Sequence, residues 1–225
     1  MPIQFAPEGI NGCSLLRNRL LARRRVSRSF HEGIAAFMDV SGDSLNLKTP
    51  HAQYDLLIAD VLRGEGLNAA QFIGIRHLIE VSGQVVGAGQ VLLDRSGKPH
   101  KVGKLSFGPF SQQTAISFGQ LATLLANEAK AYEARFLTIR AIALFAIWLK
   151  GEESGDDIIY PIGNGWGRLQ VNSVYTEEEL FAAILPHAHT VIELHRKWKE
   201  MNFKMFKPDR VRPKMRTSGA GPDPV

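Results

Sequence analysis

The chain has 225 residues, of which 44% are hydrophobic and 22% are charged, and its formal net charge is +5. These proportions are those of an ordinary globular protein, and they exclude disorder of the whole chain. A single cysteine excludes an intramolecular disulfide and a cysteine-based zinc site, in agreement with the reducing cytoplasm that we expect to be its compartment.

The charge is unevenly distributed along the chain. Residues 1–30 carry six arginines against one glutamate, and residues 196–225 carry nine lysines or arginines against three acidic residues. The stretch 31–195 between them carries 12 basic and 18 acidic residues, so it is acidic overall. We therefore predict a basic N-terminal segment at 1–30, a single α+β domain at 31–203 and a basic, disordered tail at 204–225.

A membrane span is not expected. The longest uninterrupted apolar run, 141–149, has nine residues, whereas a helix needs about 20 to cross a bilayer. The N-terminal residues also lack the charged-then-apolar order of a signal peptide, so none is expected.

A weak helical stripe near the N-terminus precedes an ambiguous segment. The stripe consists of leucines among arginines, namely Leu15, Leu16, Leu20 and Leu21. Residues 54–62 fit a helix, because Thr49 and Pro50 resemble its start and Gly64 resembles its C-cap. A buried strand is equally compatible with so short an apolar run.

Three strands joined by turns are predicted next. Residues 72–81 are rich in β-branched and aromatic side chains, 82–83 is a turn signal and 85–93 returns, which is the pattern of a hairpin. A second turn at 94–99 leads to a third strand at 102–107.

The second half of the chain mixes helices and strands. Helical spacing covers 113–131, and 136–148 predicts two strands or one long bent strand. A further strand is predicted at 158–162. Together with the earlier strands, these elements predict an α+β fold with a mainly antiparallel sheet. The long helix near 113–131 packs across one face, in an arrangement that is cystatin-like in outline.

The last helix is predicted to start at Thr176. Glu179 lies three residues further on, and this spacing is that of a capping box. Pro186 is predicted to break or kink the helix, because proline lacks the backbone N–H that the helix interior requires.

Several sequence blocks between residues 54 and 190 resemble a bacterial protein family with no known activity. The blocks are AAQFIGIR at 69–76, GPF at 108–110, YEARFLTI at 132–139, ALFAIWL at 143–149, DIIYPI at 157–162 and TEEEL at 176–180. The resemblance favours a strand at 54–62 and implies nothing about the two basic ends.

No recognisable catalytic motif occurs in the sequence. The glycine-rich run 163–167 follows a strand, but its spacing is not that of a dinucleotide fingerprint. Trp166 between these glycines is a candidate for stacking on a ligand, or it folds back onto the core. Cys13 as a nucleophile would need a histidine partner, which the sequence does not locate among seven.

Metal and cofactor sites are not expected. His187 and His189 diverge by roughly 200° on a helix, so they cannot share a metal ion. His189 and Glu193 could share one, but two ligands make a weak site.

The basic ends are the strongest functional signal. Our leading hypothesis is a non-enzymatic binding or assembly protein whose basic ends dock an acidic partner, either a protein or a nucleic acid. Solubilising arms, and neutralisation of a neighbouring acidic subunit in a homo-oligomer, are the alternatives. The predicted binding residues are Arg17, Arg19, Arg23, Arg24, Arg25, Arg28, Lys207, Arg210, Arg212, Lys214, Arg216 and Trp166.

Two other functions remain open. A small enzyme would place its site in a cleft between sheet and helix, where Arg76, His77, Glu80 or Trp166 would contribute. Direct binding of nucleic acid through the basic ends is the other alternative.

Overall fold

The computed structural model describes residues 2–7, 12–24, 44–153, 155–163 and 169–205. Its strands are β1 Ile3–Gln4, β2 Leu45–Asp55, β3 Gln71–Val81, β4 Gln84–Leu93, β5 Pro99–Phe107, β6 Tyr132–Ile139, β7 Leu144–Lys150 and β8 Ile158–Ile162. Its α-helices are α1 Cys13–Arg24, α2 Ile58–Arg63, α3 Pro109–Leu124 and α4 Glu177–Met205, with 3-10 turns at Leu67–Ala69 and Arg140–Ile142. The chain divides into two compact units, Met1–Val191 and Ile192–Val225.

The described strands form one sheet in the order β5-β4-β3-β2-β6-β7-β8, with β1 also paired to β6. Every pairing is antiparallel except those of β6 with β1 and β2. The β3–β4 hairpin turns at Ser82 and Gly83, whose φ angles of 48° and 82° are the two positive values that a type I′ turn requires. The predicted α+β class with a mainly antiparallel sheet is confirmed.

Helix α3 packs on one face of the sheet. Phe118 and Leu121 of this helix form a buried cluster with Phe136 of β6 and Ile147 of β7. Side chains alternate between faces along a strand, so Leu137, the neighbour of Phe136, lies on the opposite face. There it clusters with Leu180 of α4.

Helix α1 contributes to a separate cluster on β3 and β4. Leu16 and Leu20 are fully buried, and they pack with Ile79 and Val91. The predicted leucine stripe therefore belongs to the core, although it lies within the basic segment 1–30.

The ambiguous segment 54–62 proves to be the end of a strand followed by a short helix. The prediction that Thr49 acts as a helix N-cap is wrong, because Thr49 lies within β2. Its φ is 45°, and it lies at an irregularity of the β2–β3 ladder. Helix α2 begins only at Ile58. Gly64 is confirmed as its C-cap, with a φ of 72° and its N–H donating to the carbonyl of Val61.

The later elements largely follow the predictions. Helix α3 starts at Pro109 and ends at Leu124, and both ends come earlier than predicted. The early start has a local reason, because proline is pre-organised for the first helical position. The segment 136–148 forms two strands, which the 3-10 turn Arg140–Ile142 separates.

The predicted start of the last helix is confirmed. The hydroxyl of Thr176 accepts the Glu179 N–H at 3.2 Å, and the Glu179 carboxylate accepts the Thr176 N–H at 2.9 Å. Pro186 does not end this helix, which continues to Met205.

In the second unit, the described part of α4 has a strongly exposed apolar stripe. Leu194, Trp198 and Met201 are 61%, 59% and 57% exposed. The His195 ring stacks on Trp198 at a centroid distance of 6.2 Å, so this histidine packs against an aromatic ring at the surface.

Candidate functional site

A cleft of about 630 Å³ lies on the sheet face that α3 covers, and we call it the basic cleft. None of the described residues that line it carries a carboxylate. Small residues of β4 and of the turn between β6 and β7 form part of the lining. The cations are Arg76, Lys104 and Arg140, the aromatic rings are Phe110, Phe136 and Phe145, and the uncharged polar side chains are Gln53, Gln90 and Ser106.

Arg76 is the most unusual group of the basic cleft. It lies in the middle of β3, and only 5% of it is exposed. Its Cζ lies 4.1 Å from the ring centroid of Phe136, at cation–π distance. Burial lowers the pKa of Arg76 to about 10, so it is still charged at neutral pH.

No carboxylate compensates Arg76 within the described parts of the chain. Its Nη1 atom is enclosed and has no hydrogen-bond partner there. Natural folds rarely retain a buried charge without a partner, because its desolvation costs several kcal/mol. A buried guanidinium that lines a cleft is therefore a candidate anion-binding group.

His51 lies beside Arg76 in the β2–β3 ladder and is fully buried. Its Nδ1 lies 2.6 Å from the carbonyl oxygen of Thr49, which can only accept, so Nδ1 carries the proton. Burial, and then the charge of Arg76, lower the pKa of His51 to about 3. His51 is therefore neutral and adds no positive charge next to Arg76.

The other two cations of the basic cleft differ in their partners. Arg140 follows β6, is 70% exposed and forms an ion pair with Asp55, with 3.0 Å between Nε and Oδ2. Lys104 on β5 is exposed and forms no ion pair with any described residue. Arg76 and Lys104 thus keep two positive charges that no described carboxylate neutralises.

Gln53 and Gln90 form a polar bridge across β3 in the basic cleft. The Gln90 amide donates to Gln53 Oε1 at 3.2 Å. On β3, which lies between them, the residue opposite Gln53 is Gly74, which has no side chain. No side chain at that position of β3 therefore separates the two amides. Gly74 has a φ of 144°, and a Cβ there would lie 2.4 Å from the carbonyl oxygen of Val91.

The first turn of α3 borders the basic cleft through Phe110. No side chain caps this turn, and it contains no acidic residue. The partial positive charge of the helix N-terminus therefore adds to that of the cations.

The structure separates the residues that the sequence suggested for a cleft between sheet and helix. Arg76 lines the basic cleft, whereas Glu80 does not and lies 3.7 Å from Lys48 Nζ. His77 is buried, with its Nδ1 3.7 Å from Cys13 Sγ, so Cys13 has a histidine neighbour that the sequence did not locate. Neither His77 nor Cys13 is among the lining residues of the basic cleft. Trp166 lies outside the described residues.

Few of the predicted binding residues at the basic ends are described. Arg17 and Arg19 are exposed on α1, and Arg23 and Arg24 form its last two positions. The remaining seven lie outside the described residues, namely Arg25, Arg28, Lys207, Arg210, Arg212, Lys214 and Arg216.

Of the lining residues of the basic cleft, only Arg76 is predicted from the sequence as a candidate for a cleft between sheet and helix. A signal for it is present in the sequence, since Arg76 is a charged residue in the middle of an apolar strand pattern. Lys104, Phe110 and Arg140 have no such signal, because the order of the strands and the packing of α3 bring them to the same cleft as Arg76.

No protein-family model matches this chain, and neither do the curated proteins or the solved structures with which it was compared. No helix within the described ranges is both long enough and apolar enough to cross a membrane.

Proposed function

We propose that this protein binds a small organic anion in the basic cleft. The observation that carries the proposal is Arg76, a buried guanidinium that lines the cleft and has no described carboxylate partner. An anion bound there would neutralise a charge whose burial otherwise costs stability. In such a low-dielectric position a guanidinium–anion contact is also stronger than one in water.

The shape and lining of the basic cleft suit a molecule with an apolar body. The ring centroids of Phe110 and Phe145 are 4.9 Å apart, and the planes of the two rings are inclined at 60°. The guanidinium of Arg76 lies over the ring of Phe136. Aromatic walls with a few convergent polar groups are typical of small-molecule sites, whose volumes are about 300–1,000 Å³. A volume of about 630 Å³ lies within that range.

The proposal is binding rather than catalysis. Among the described parts of the chain, no histidine, cysteine or carboxylate that could act as a base or a nucleophile lines the basic cleft. Ser106 lies there, and its hydroxyl donates to the carbonyl of Ala88 at 3.5 Å. A small enzyme with its site in this cleft stays an alternative.

Calorimetric titration with benzoate, with neutral benzamide as the uncharged analogue, tests the proposal. Benzoate should bind and benzamide should not, and Arg76→Gln should weaken benzoate binding by about tenfold or more, because a charge-assisted contact is worth about 1.5–3 kcal/mol. The matched control is Arg95→Gln, which removes an exposed arginine from the β4–β5 turn. Benzoate binding that is equal in all three proteins would refute the proposal.

Docking of an acidic partner through the basic ends is the second candidate, and the exposure of Arg17 and Arg19 on α1 favours it. Deleting residues 1–30 would not test it, since Leu16 and Leu20 are core residues. The better variant combines Arg17→Gln and Arg19→Gln with removal of residues 206–225. A duplex DNA and an acidic polypeptide are suitable probes in a salt titration, and affinity that is indifferent to salt and to these changes would exclude this candidate.

A further inference from the structure

We infer that the ligand of the basic cleft is a dianion with an aromatic body, of the class of aromatic phosphate monoesters. This inference rests on the proposed function, because it presupposes that the basic cleft binds an anion. It adds the charge of that anion, its orientation and the nature of the group attached to it.

The charge follows from the ion pairs around the basic cleft. Of its three cations, only Arg140 has a carboxylate partner among the described residues, namely Asp55. Arg76 and Lys104 leave two positive charges, and the uncapped first turn of α3 adds a partial one. A monoanion would neutralise only half of this charge, whereas a phosphate monoester carries nearly two negative charges at pH 7.

The two cations without carboxylate partners flank the same side chain. Arg76 on β3 is the register partner of Gln90 on β4, and the backbone N–H of Lys104 on β5 donates to Gln90 Oε1 at 3.5 Å. They stand on strands two apart in the sheet, roughly 10 Å between backbones. An anionic group that lies between them can therefore contact the Arg76 guanidinium on one side and the ammonium of the exposed Lys104 on the other.

The aromatic rings lie around the guanidinium of Arg76, toward the end of the basic cleft away from Lys104. The Cζ atom of Arg76 lies 4.1 Å from the ring centroid of Phe136 and 5.9 Å from that of Phe110. Phe136 and Phe145 are on β6 and β7, and Phe110 packs against both rings. In the sheet order β5-β4-β3-β2-β6-β7, Lys104 on β5 and the rings on β6 and β7 lie on opposite sides of Arg76 on β3. A ligand whose phosphate lies between Lys104 and Arg76, and whose flat ring lies on the side of Phe136 and Phe145, matches this order.

Phenyl phosphate and phenyl sulfate provide the decisive comparison, since they have nearly the same shape but differ by one charge at pH 8. Phenyl phosphate should bind the full-length protein about two- to fivefold more tightly than phenyl sulfate, as expected for one added exposed ion pair. At pH 5 the advantage should disappear, because the second pKa of a phosphate monoester is about 6.

Two lysine variants on β5 show whether Lys104 is responsible. Lys104→Gln should weaken the binding of phenyl phosphate more than that of phenyl sulfate, and so reduce the difference between the two affinities, because the dianion loses the larger attraction. Lys101→Gln, which removes another exposed lysine of β5 outside the cleft lining, should change neither affinity. Inorganic phosphate should bind more weakly than phenyl phosphate, because it lacks the ring.

The outcomes separate this inference from the proposed function. Equal affinities for phenyl phosphate and phenyl sulfate at pH 8, both lost in Arg76→Gln, would overturn the dianion and leave the anion site standing. Inorganic phosphate that binds as tightly as phenyl phosphate would overturn the aromatic body. Binding of all probes that is unaffected by Arg76→Gln, or no binding at all, would overturn the proposed function itself.

Discussion

Replacing Arg76 with methionine should stabilise the ligand-free protein while it removes the anion site. Arginine is buried at this position without a carboxylate partner among the described residues, and methionine has a similar length and can fill the same space beside Phe136. Residues that serve binding at the expense of stability behave in this way.

The magnitude follows from the shift in the pKa of Arg76. Burial lowers this pKa from the ordinary value of an arginine to about 10, so the folded state binds the proton less well than the unfolded state does. At about 1.4 kcal/mol per pKa unit, keeping Arg76 charged in the folded protein at neutral pH costs roughly 3 kcal/mol. The contact with Phe136 that methionine loses is worth up to about 2 kcal/mol. The expected net gain in the free energy of unfolding is therefore about 1 kcal/mol or more.

Urea unfolding at pH 7.5, in a buffer without organic anions or phosphate, measures this difference. The transition midpoint should rise in Arg76→Met while the slope stays unchanged, since only the folded state is altered. Arg95→Met serves as the control for losing an arginine at the surface. A loss of more than about 1 kcal/mol in Arg76→Met would show that Arg76 is a structural residue with compensating partners, and it would refute the reasoning above.

Three further predictions use the same unfolding assay. The pKa of His51 is lowered to about 3, so between pH 3 and 6.5 the unfolded state binds more protons than the folded state does. Native stability therefore falls as the pH drops through that window. His51→Phe should flatten this pH dependence, which amounts to up to roughly 5 kcal/mol. Gly74→Ala should cost about 3 kcal/mol or more, because its φ of 144° and the approach of its Cβ to the Val91 carbonyl both exclude a side chain. Thr176→Ala should cost about 1 kcal/mol, since it removes the hydroxyl that accepts the Glu179 N–H.

Each of these has a matched control in the same chain. His189→Phe removes an exposed histidine, and a pH dependence that flattens as much there as in His51→Phe would contradict the assignment to His51. Gly119→Ala lies in open space within α3 and should be neutral or slightly stabilising, so an equal loss at Gly74 and Gly119 would contradict the steric argument. Thr190→Ala removes a hydroxyl inside α4, and the capping role of Thr176 fails if both threonine variants lose the same stability.

Sequence patterns predict the structure correctly where one short stretch of residues determines it. The Ser82-Gly83 turn joins β3 and β4 because these two residues adopt positive φ angles without help from distant residues. The capping box at Thr176 is equally local, since both of its hydrogen bonds lie within four residues. The segment 54–62 was ambiguous because so short an apolar run fits both helix and strand.

Pro186 shows where a local rule is overruled. Proline removes one backbone hydrogen bond, but Leu180 and Ile184 before it and Ala188 after it are fully buried. Burial of such side chains contributes more than one hydrogen bond is worth, so the helix continues.

The sequence by itself determined the α+β class, most of the strands and the position of Arg76 within one of them, because periodicity and turn residues act over a few neighbours. Only the tertiary structure decided what surrounds Arg76. Lys104, Phe110, Phe136 and Arg140 come from separate elements, and the order of the strands together with the packing of α3 brings them to one cleft. That no carboxylate occurs among the described lining residues is likewise a property of that arrangement, since charge compensation depends on distance in space and not along the chain.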